Sequence, residues 1–226
     1  MKTKLPKRTL IILLMIAVKL MNAQAHVKAD NGKDSFPKVN PPRYILKIAP
    51  LALIGPYEGT SLRVGIEYPI RQDWSGYTEL IHYFINTGDG IKAEFKYWLG
   101  NYQEDRHSLD RDYVSVELFY KHQCYSTYDS IMLPFEKYKK NYNVNKSVEC
   151  LTIKYGTQTA FKCGITLDFF MGLGVRVKQA SNTLSHEENE HIKSIGDYGT
   201  NRIVNMAGNY VYPNFDMGIK VGFKLK

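Results

Sequence analysis

Residues 165–177 read ITLDFFMGLGVRV, and every second position, from Ile165 and Leu167 through Phe169, Met171, Leu173 and Val175 to Val177, is apolar. The intervening positions are Thr166, Asp168, Phe170, Gly172, Gly174 and Arg176. A period of two is a strand signature and excludes a helical stripe. Residues 215–225 repeat it: Phe215, Met217, Ile219, Val221, Phe223 and Leu225 alternate with Asp216, Gly218, Lys220, Gly222 and Lys224. So do Leu62 to Tyr68, Ile91 to Tyr97 and Val114 to Tyr120, against polar faces that include Arg63, Glu67, Lys92, Glu94, Lys96, Glu117 and Lys121. Three weaker segments, Tyr44 to Leu53, Gly76 to Phe84 and Glu149 to Tyr155, bring the strand count to eight. The class expected is all-β.

Alternation alone does not separate a membrane barrel from a soluble one, but three features do. Runs of thirteen and eleven alternating residues exceed the usual soluble strand of about 5 to 6 and match the ~9 to 11 that cross a bilayer at a tilt. The polar face mixes charges of both signs with glycines, as a narrow lumen requires. With the first strand running outward, Tyr44, Tyr68, Tyr97, Tyr155 and Phe223 fall at one end of the strands, and Phe84, Tyr120 and Phe215 at the other. Two aromatic belts of that kind mark the two interfaces of a bilayer. The expectation is an eight-stranded antiparallel up-and-down transmembrane β-barrel. Arg63, Glu67, Lys92, Glu94, Lys96, Glu117, Asp168, Arg176, Asp216 and Lys220 should line its interior and pair. Outer loops 123–146 and 179–212 are expected to be long, while 100–112 is long for a turn at the opposite end.

The chain has 226 residues, 44% apolar and 23% charged, with a formal charge of +8. Its mean hydropathy is −0.33, and it has no apolar run near the ~20 residues of a membrane-spanning helix. Lys2, Lys4, Lys7 and Arg8 precede an apolar run from Leu10 to Val18, and Ala23-Gln24-Ala25 offers a small-x-small cleavage site. Residues 1–25 thus read as a secretory signal peptide, and the polar, proline-containing residues 26–42 as a flexible periplasmic leader before a barrel domain at 43–226. Without the signal the chain carries 25 basic and 22 acidic residues, or +3, which removes the case for a nucleic-acid partner. Cys124, Cys150 and Cys163 are odd in number; Cys124 with Cys150, or three free thiols, are both open.

These features resemble the small outer-membrane β-barrel proteins of Gram-negative bacteria. Segments KAEFKYWL and LDFFMGLGVR are similar to those of small barrels common in Bacteroidota. The resemblance implies an outer-membrane location, with lipid and the barrel assembly machinery as partners. In such proteins the last strand carries the assembly signal and usually ends on an aromatic residue, whereas here Lys224, Leu225 and Lys226 follow Phe223.

Motifs for chemistry are sparse. In His186-Glu187-Glu188-Asn189-Glu190-His191 the second histidine comes one residue too late for a helical zinc pair, so a solvated loop is the reading preferred over a weak cation site. Gly172-Leu173-Gly174 lies within a strand, and Gly88-Asp89-Gly90 is hairpin chemistry. The cluster nearest to a lipid-acting triad is His122 with Ser126 and Asp129. No catalytic residue, metal ligand or cofactor is assigned. The expected role is structural or surface-binding and non-enzymatic, through the two outer loops and a ligand or partner left open. The alternatives are a secreted lipocalin-like barrel holding an apolar ligand, then a lipid-modifying enzyme.

Overall fold

The computed structural model describes residues 44–53, 60–71, 73–84, 86–99, 111–161, 163–193 and 205–225. The expected signal and leader lie outside them. Strands β1 (Ile45–Ile48), β2 (Ser61–Arg71), β3 (Trp74–Tyr83), β4 (Gly88–Leu99), β5 (Arg111–Met132), β6 (Lys137–Ala160) and β7 (Ile165–Asn182) follow in order. A five-residue helix α1 (His186–Glu190), a two-residue strand β8 (Ile192–Lys193) and β9 (Gly208–Lys224) complete the chain. Each of the first six strands pairs antiparallel with the next, β7 pairs with β9, and β9 pairs with β1. Eight strands therefore close a ring, and β8 adds to β5 outside it.

The register fixes the shape of the ring. Hydrogen-bonded partners run from Ile48 through Val64, Leu80, Ile91, Tyr120, Glu149 and Val177 to Val211 on β9. The partner of Ile48 on that strand is Val221, ten residues away. A stagger of ten over eight strands tilts them by about 40° from the axis, and about ten residues of each then cover about 25 Å along it. Most outward positions within that height are apolar, among them Leu173 at 69% and Met217 at 67% exposure. Tyr44, Tyr68, Tyr97 and Phe223 edge this band near the chain ends. The Tyr155 hydroxyl reaches towards the same edge to bond Asp112. Trp74, which the sequence reading left out, stacks there on Phe95 at 4.7 Å and meets the Tyr97 ring at a tilt at 4.6 Å. Phe84, Tyr120 and Phe215 edge the opposite end.

Three segments differ from the sequence reading. The first strand stops at Ile48 and a 3-10 turn over Pro50–Leu53 follows, because proline has no N–H to give the ladder. The expected loop 123–146 is mostly strand: β5 and β6 pair without interruption from Arg111 with Gln158 to Met132 with Lys137. They run nine residues beyond Gln123, the last β5 residue paired to β4, or about 30 Å. Outside the apolar band the outer face of this hairpin is largely polar and the inner face mixes Tyr125, Ile131, Tyr142 and Val144 with Asp129 and Lys146, so the apolar period that reveals the other strands is broken while the ladder continues. The connection 179–212 likewise contains the ends of β7 and β9, together with α1 and β8.

The lumen is narrow enough that two inward tyrosines need glycines beside them. Tyr77 lies over Gly65, where a Cβ would come within 2.6 Å of its ring, and Tyr113 lies over Gly156. Gly65→Val and Gly156→Leu are each expected to cost about 1–3 kcal/mol by overpacking. Urea midpoints in folded detergent preparations, compared with the wild type, measure that cost.

Candidate functional site

Two regions carry polar chemistry. The first is the barrel interior, where β1, β2, β4 and β7 bring four charges to one level. Lys47 Nζ is 2.6 Å from Glu67 and 2.6 Å from Asp168, and also donates to Gln158 Oε1 at 2.6 Å. Lys96 bridges the same two acids at 3.1 and 2.8 Å, and the Tyr113 hydroxyl donates to the other Asp168 oxygen at 2.6 Å. One step along the axis Lys220 meets Glu94 at 3.0 Å, a carboxylate that Ser115 also serves. Next, Lys154 contacts Glu117 and Asp216 at 2.6 and 2.7 Å, and Lys92 contacts them at 3.3 and 3.4 Å. Above this stack the interior turns apolar, with Ile81, Tyr83, Phe119, Val148 and Cys150 packed together.

Eight of the ten residues expected to line the interior are joined in these ion pairs. Arg63 lines it too, donating to Ser61 at 3.1 Å, and Arg176 faces the Tyr212 ring. The sequence reading missed Lys47, Glu79 and Lys154, although each sits on the polar phase of its own strand. Charges of this kind fill the lumen below the apolar layer of Ile81, Phe119 and Val148.

The second region is the lobe formed where β5, β6, β7 and β9 continue past the band. Residues 183–193 and 205–207 fold over its inner face. Ile192 packs there on Tyr142 and Val144, flanked by Tyr125, Leu184 and Met206. Asp129 accepts from the Tyr142 hydroxyl at 2.6 Å and from Asn205 at 3.1 Å. Helix α1 begins at a capping box made by Ser185 and Glu188. Glu188 also receives Lys140 at 2.6 Å and the Tyr138 hydroxyl at 2.7 Å, so the helix is latched to β6. The Lys140 hydrogen bond, then those from Ser185 and Tyr138, hold the Glu188 carboxyl down to about 2. Lys178, inside the lobe with its head on Met206 O at 3.1 Å, is pushed down to about 8 by burial.

The residues singled out for chemistry are not brought together. Asp129 faces the inside of the lobe, while His122 and Ser126 face outward; Ser126 instead donates to Asn143 at 2.6 Å. His122 sits against Ser147 at 3.1 Å and Cys124 at 3.4 Å. All three cysteines are free thiols; Cys150 is buried inside while Cys124 is exposed outside, so the two do not face each other. His186 contacts Glu190 at 3.5 Å, and His191 bonds the Glu187 carbonyl. Among the described residues no three His, Cys, Asp or Glu side chains gather as a metal site.

No family model matches the chain, and no curated protein matches it in sequence. Among solved structures it is similar to the N-terminal β-barrel domain of Pseudomonas aeruginosa OprF, at 12% identity and a TM-score of 0.41, over 81% of this chain and 97% of that one.

Two outcomes follow. Asp168→Ala strands Lys47 and Lys96 in the interior and should destabilise the barrel by about 3–5 kcal/mol in urea titrations, whereas Glu136→Ala at the exposed hairpin tip should be neutral. Because the Glu188 carboxyl is held below its ordinary 4.5, its contribution is present above that value and is lost as pH falls from about 4.5 to about 2. Hydrogen-exchange protection of α1 should drop across that window in the wild type, and be low throughout in Glu188→Gln.

Proposed function

We propose that the chain is an integral outer-membrane β-barrel protein, exported by the signal at 1–25, whose role is structural or surface-binding rather than enzymatic. The observation that carries this reading is the outward apolar band, about 25 Å high and edged by aromatic residues, wrapped around an interior of ion pairs. An aqueous protein would expose that band at a large cost, and the charged lumen is no alternative core. The interior is filled by side chains, which argues against a diffusion pore. Kinship with small Bacteroidota barrels belongs to the same reading and rests on KAEFKYWL and LDFFMGLGVR.

The lobe is the surface available for recognition. Phe135 at the hairpin tip is fully exposed, and Tyr128 stands out from the same hairpin. The partners expected are outer-membrane lipid, the assembly machinery during biogenesis, and a surface ligand or protein that the lobe engages.

Fractionation and thiol labelling test the reading together. The mature chain should co-purify with outer membranes and migrate faster in detergent gels before boiling than after it. Recovery as a soluble monomer without detergent would overturn the proposal. Cys124 on the lobe and Cys163 in the turn before β7 are both exposed and lie at opposite ends of the barrel. On intact cells a membrane-impermeant maleimide should label Cys124 and spare Cys163; the reverse pattern would invert the orientation.

A further inference from the structure

On the outer face of the lobe, just past the aromatic edge at Tyr120, three side chains from two strands are linked in a row. His122 and Cys124 are two residues apart on β5, so both point outward with their backbones about 7 Å apart. The histidine ring spans that gap, and its Nε2 lies 3.4 Å from Cys124 Sγ. Ser147 is the register partner of His122 on β6, and its Oγ lies 3.1 Å from the other ring nitrogen, Nδ1. In the tautomer whose Nδ1–H donates to Ser147, Nε2 accepts the thiol hydrogen. Nucleophile, base and a third group that orients the base thus stand in the order of an activated nucleophile. The ladder beneath them is unbroken, from Lys121 with Val148 to Cys124 with Asn145, so the backbone holds all three in place.

The thiol is exposed and stands four residues beyond Tyr120, clear of the apolar band. Cys163 is exposed as well, but the turn 161–165 around it holds no histidine. Cys150 is buried inside and Cys163 lies at the opposite end of the barrel, so neither reaches Cys124. A disulfide formed there with an outside molecule therefore meets no second thiol of the chain to release it. Charged groups on the same outward surface are Asp89, the register partner of His122 on β4, and Glu149, two residues from Ser147 on β6. Asp89 is bonded by His82 of β3 at 2.8 Å. The two carboxylates favour an approaching molecule that carries no negative charge.

We propose that Cys124 is a thiol-exchange site that captures a small neutral or cationic disulfide from outside the barrel. As the thiol attacks, its proton passes to His122 Nε2 and its sulfur bonds to one sulfur of the incoming disulfide. The incoming S–S bond breaks, and the departing thiolate takes the proton from the imidazolium and leaves as a thiol. One disulfide replaces another, no oxidant is consumed, and an excess of external thiol reverses the step. His122 is the base and Ser147 the residue that positions it. Because the chain has no thiol to resolve the product, the outcome is a lasting adduct on the lobe rather than turnover.

Exchange rates of the full mature chain in a neutral detergent, with Cys163→Ser leaving Cys124 as the exposed thiol, test the assignment. Cystamine and 2-hydroxyethyl disulfide should each add one half-molecule to Cys124, read by intact mass. At pH 7 His122→Gln should slow the addition by about tenfold or more, Ser147→Ala by less, and Ser126→Ala on the same face should not change it. Above about pH 10, where a thiol ionises in water unaided, wild type and His122→Gln should react alike, which a merely steric role of the ring would not produce. Raising the salt concentration should slow cystamine and leave 2-hydroxyethyl disulfide unchanged. Every variant should keep the heat-modifiable gel shift of a folded barrel. Equal rates at pH 7 in wild type and His122→Gln, or a deficit that persists above pH 10, overturn the site; a cystamine rate indifferent to salt overturns its charge preference.

Discussion

Everything in this barrel answers to the width of its lumen. Eight strands closed with a stagger of ten leave room for side chains alone, and those side chains are charged because the apolar phase of every strand is turned outward. Each interior cation must then find its anion within the same narrow shaft. Asp168 shows how tightly this is met, with Lys47, Lys96 and Tyr113 all at 2.8 Å or less. The inward tyrosines and their glycines obey the same limit.

The four long strands serve two settings in succession. Within the band they carry apolar residues outward; past it they keep the ladder but show polar groups on the outer face. The lobe is therefore continuous with the barrel wall, and the segment between β7 and β9 covers its inner face through Ile192, Asn205 and the Glu188 latch. Phe135 stands at the tip of a continuously paired hairpin.

Most of the barrel was legible because one physical rule, apolar to one face and polar to the other, wrote itself into β2, β4, β5, β7 and β9. The same rule would have found Lys47 between Leu46 and Ile48, and Lys154 between Ile153 and Tyr155, had it been extended along the weaker segments. It did not find the hairpin beyond Gln123, where lysines and asparagines interrupt the phase of Tyr138, Tyr142 and Val144 in KYKKNYNVNK and the ladder is held by backbone pairing. The separation of Asp129 from His122 and Ser126 follows from parity alone, since 122 and 126 share a face and 129 does not. The approach of Ser147 to His122 needed the register between strands, which no single strand contains.

The seam at β1 sets the order in which such a chain can assemble. β1 meets each of its neighbours through four register pairs, and its partner β9 lies at the far end of the sequence. The β5–β6 hairpin, by contrast, closes through a connection of four residues and zips along twenty-two pairs. Loop-closure entropy favours the hairpin as the early nucleus and leaves the β1–β9 junction, which joins Tyr44 to Leu225, for the end. Until that junction forms, the chain is an open curved sheet with two bare edges, and a partner that holds those edges apart from other chains guards the one stage at which the barrel can still go wrong.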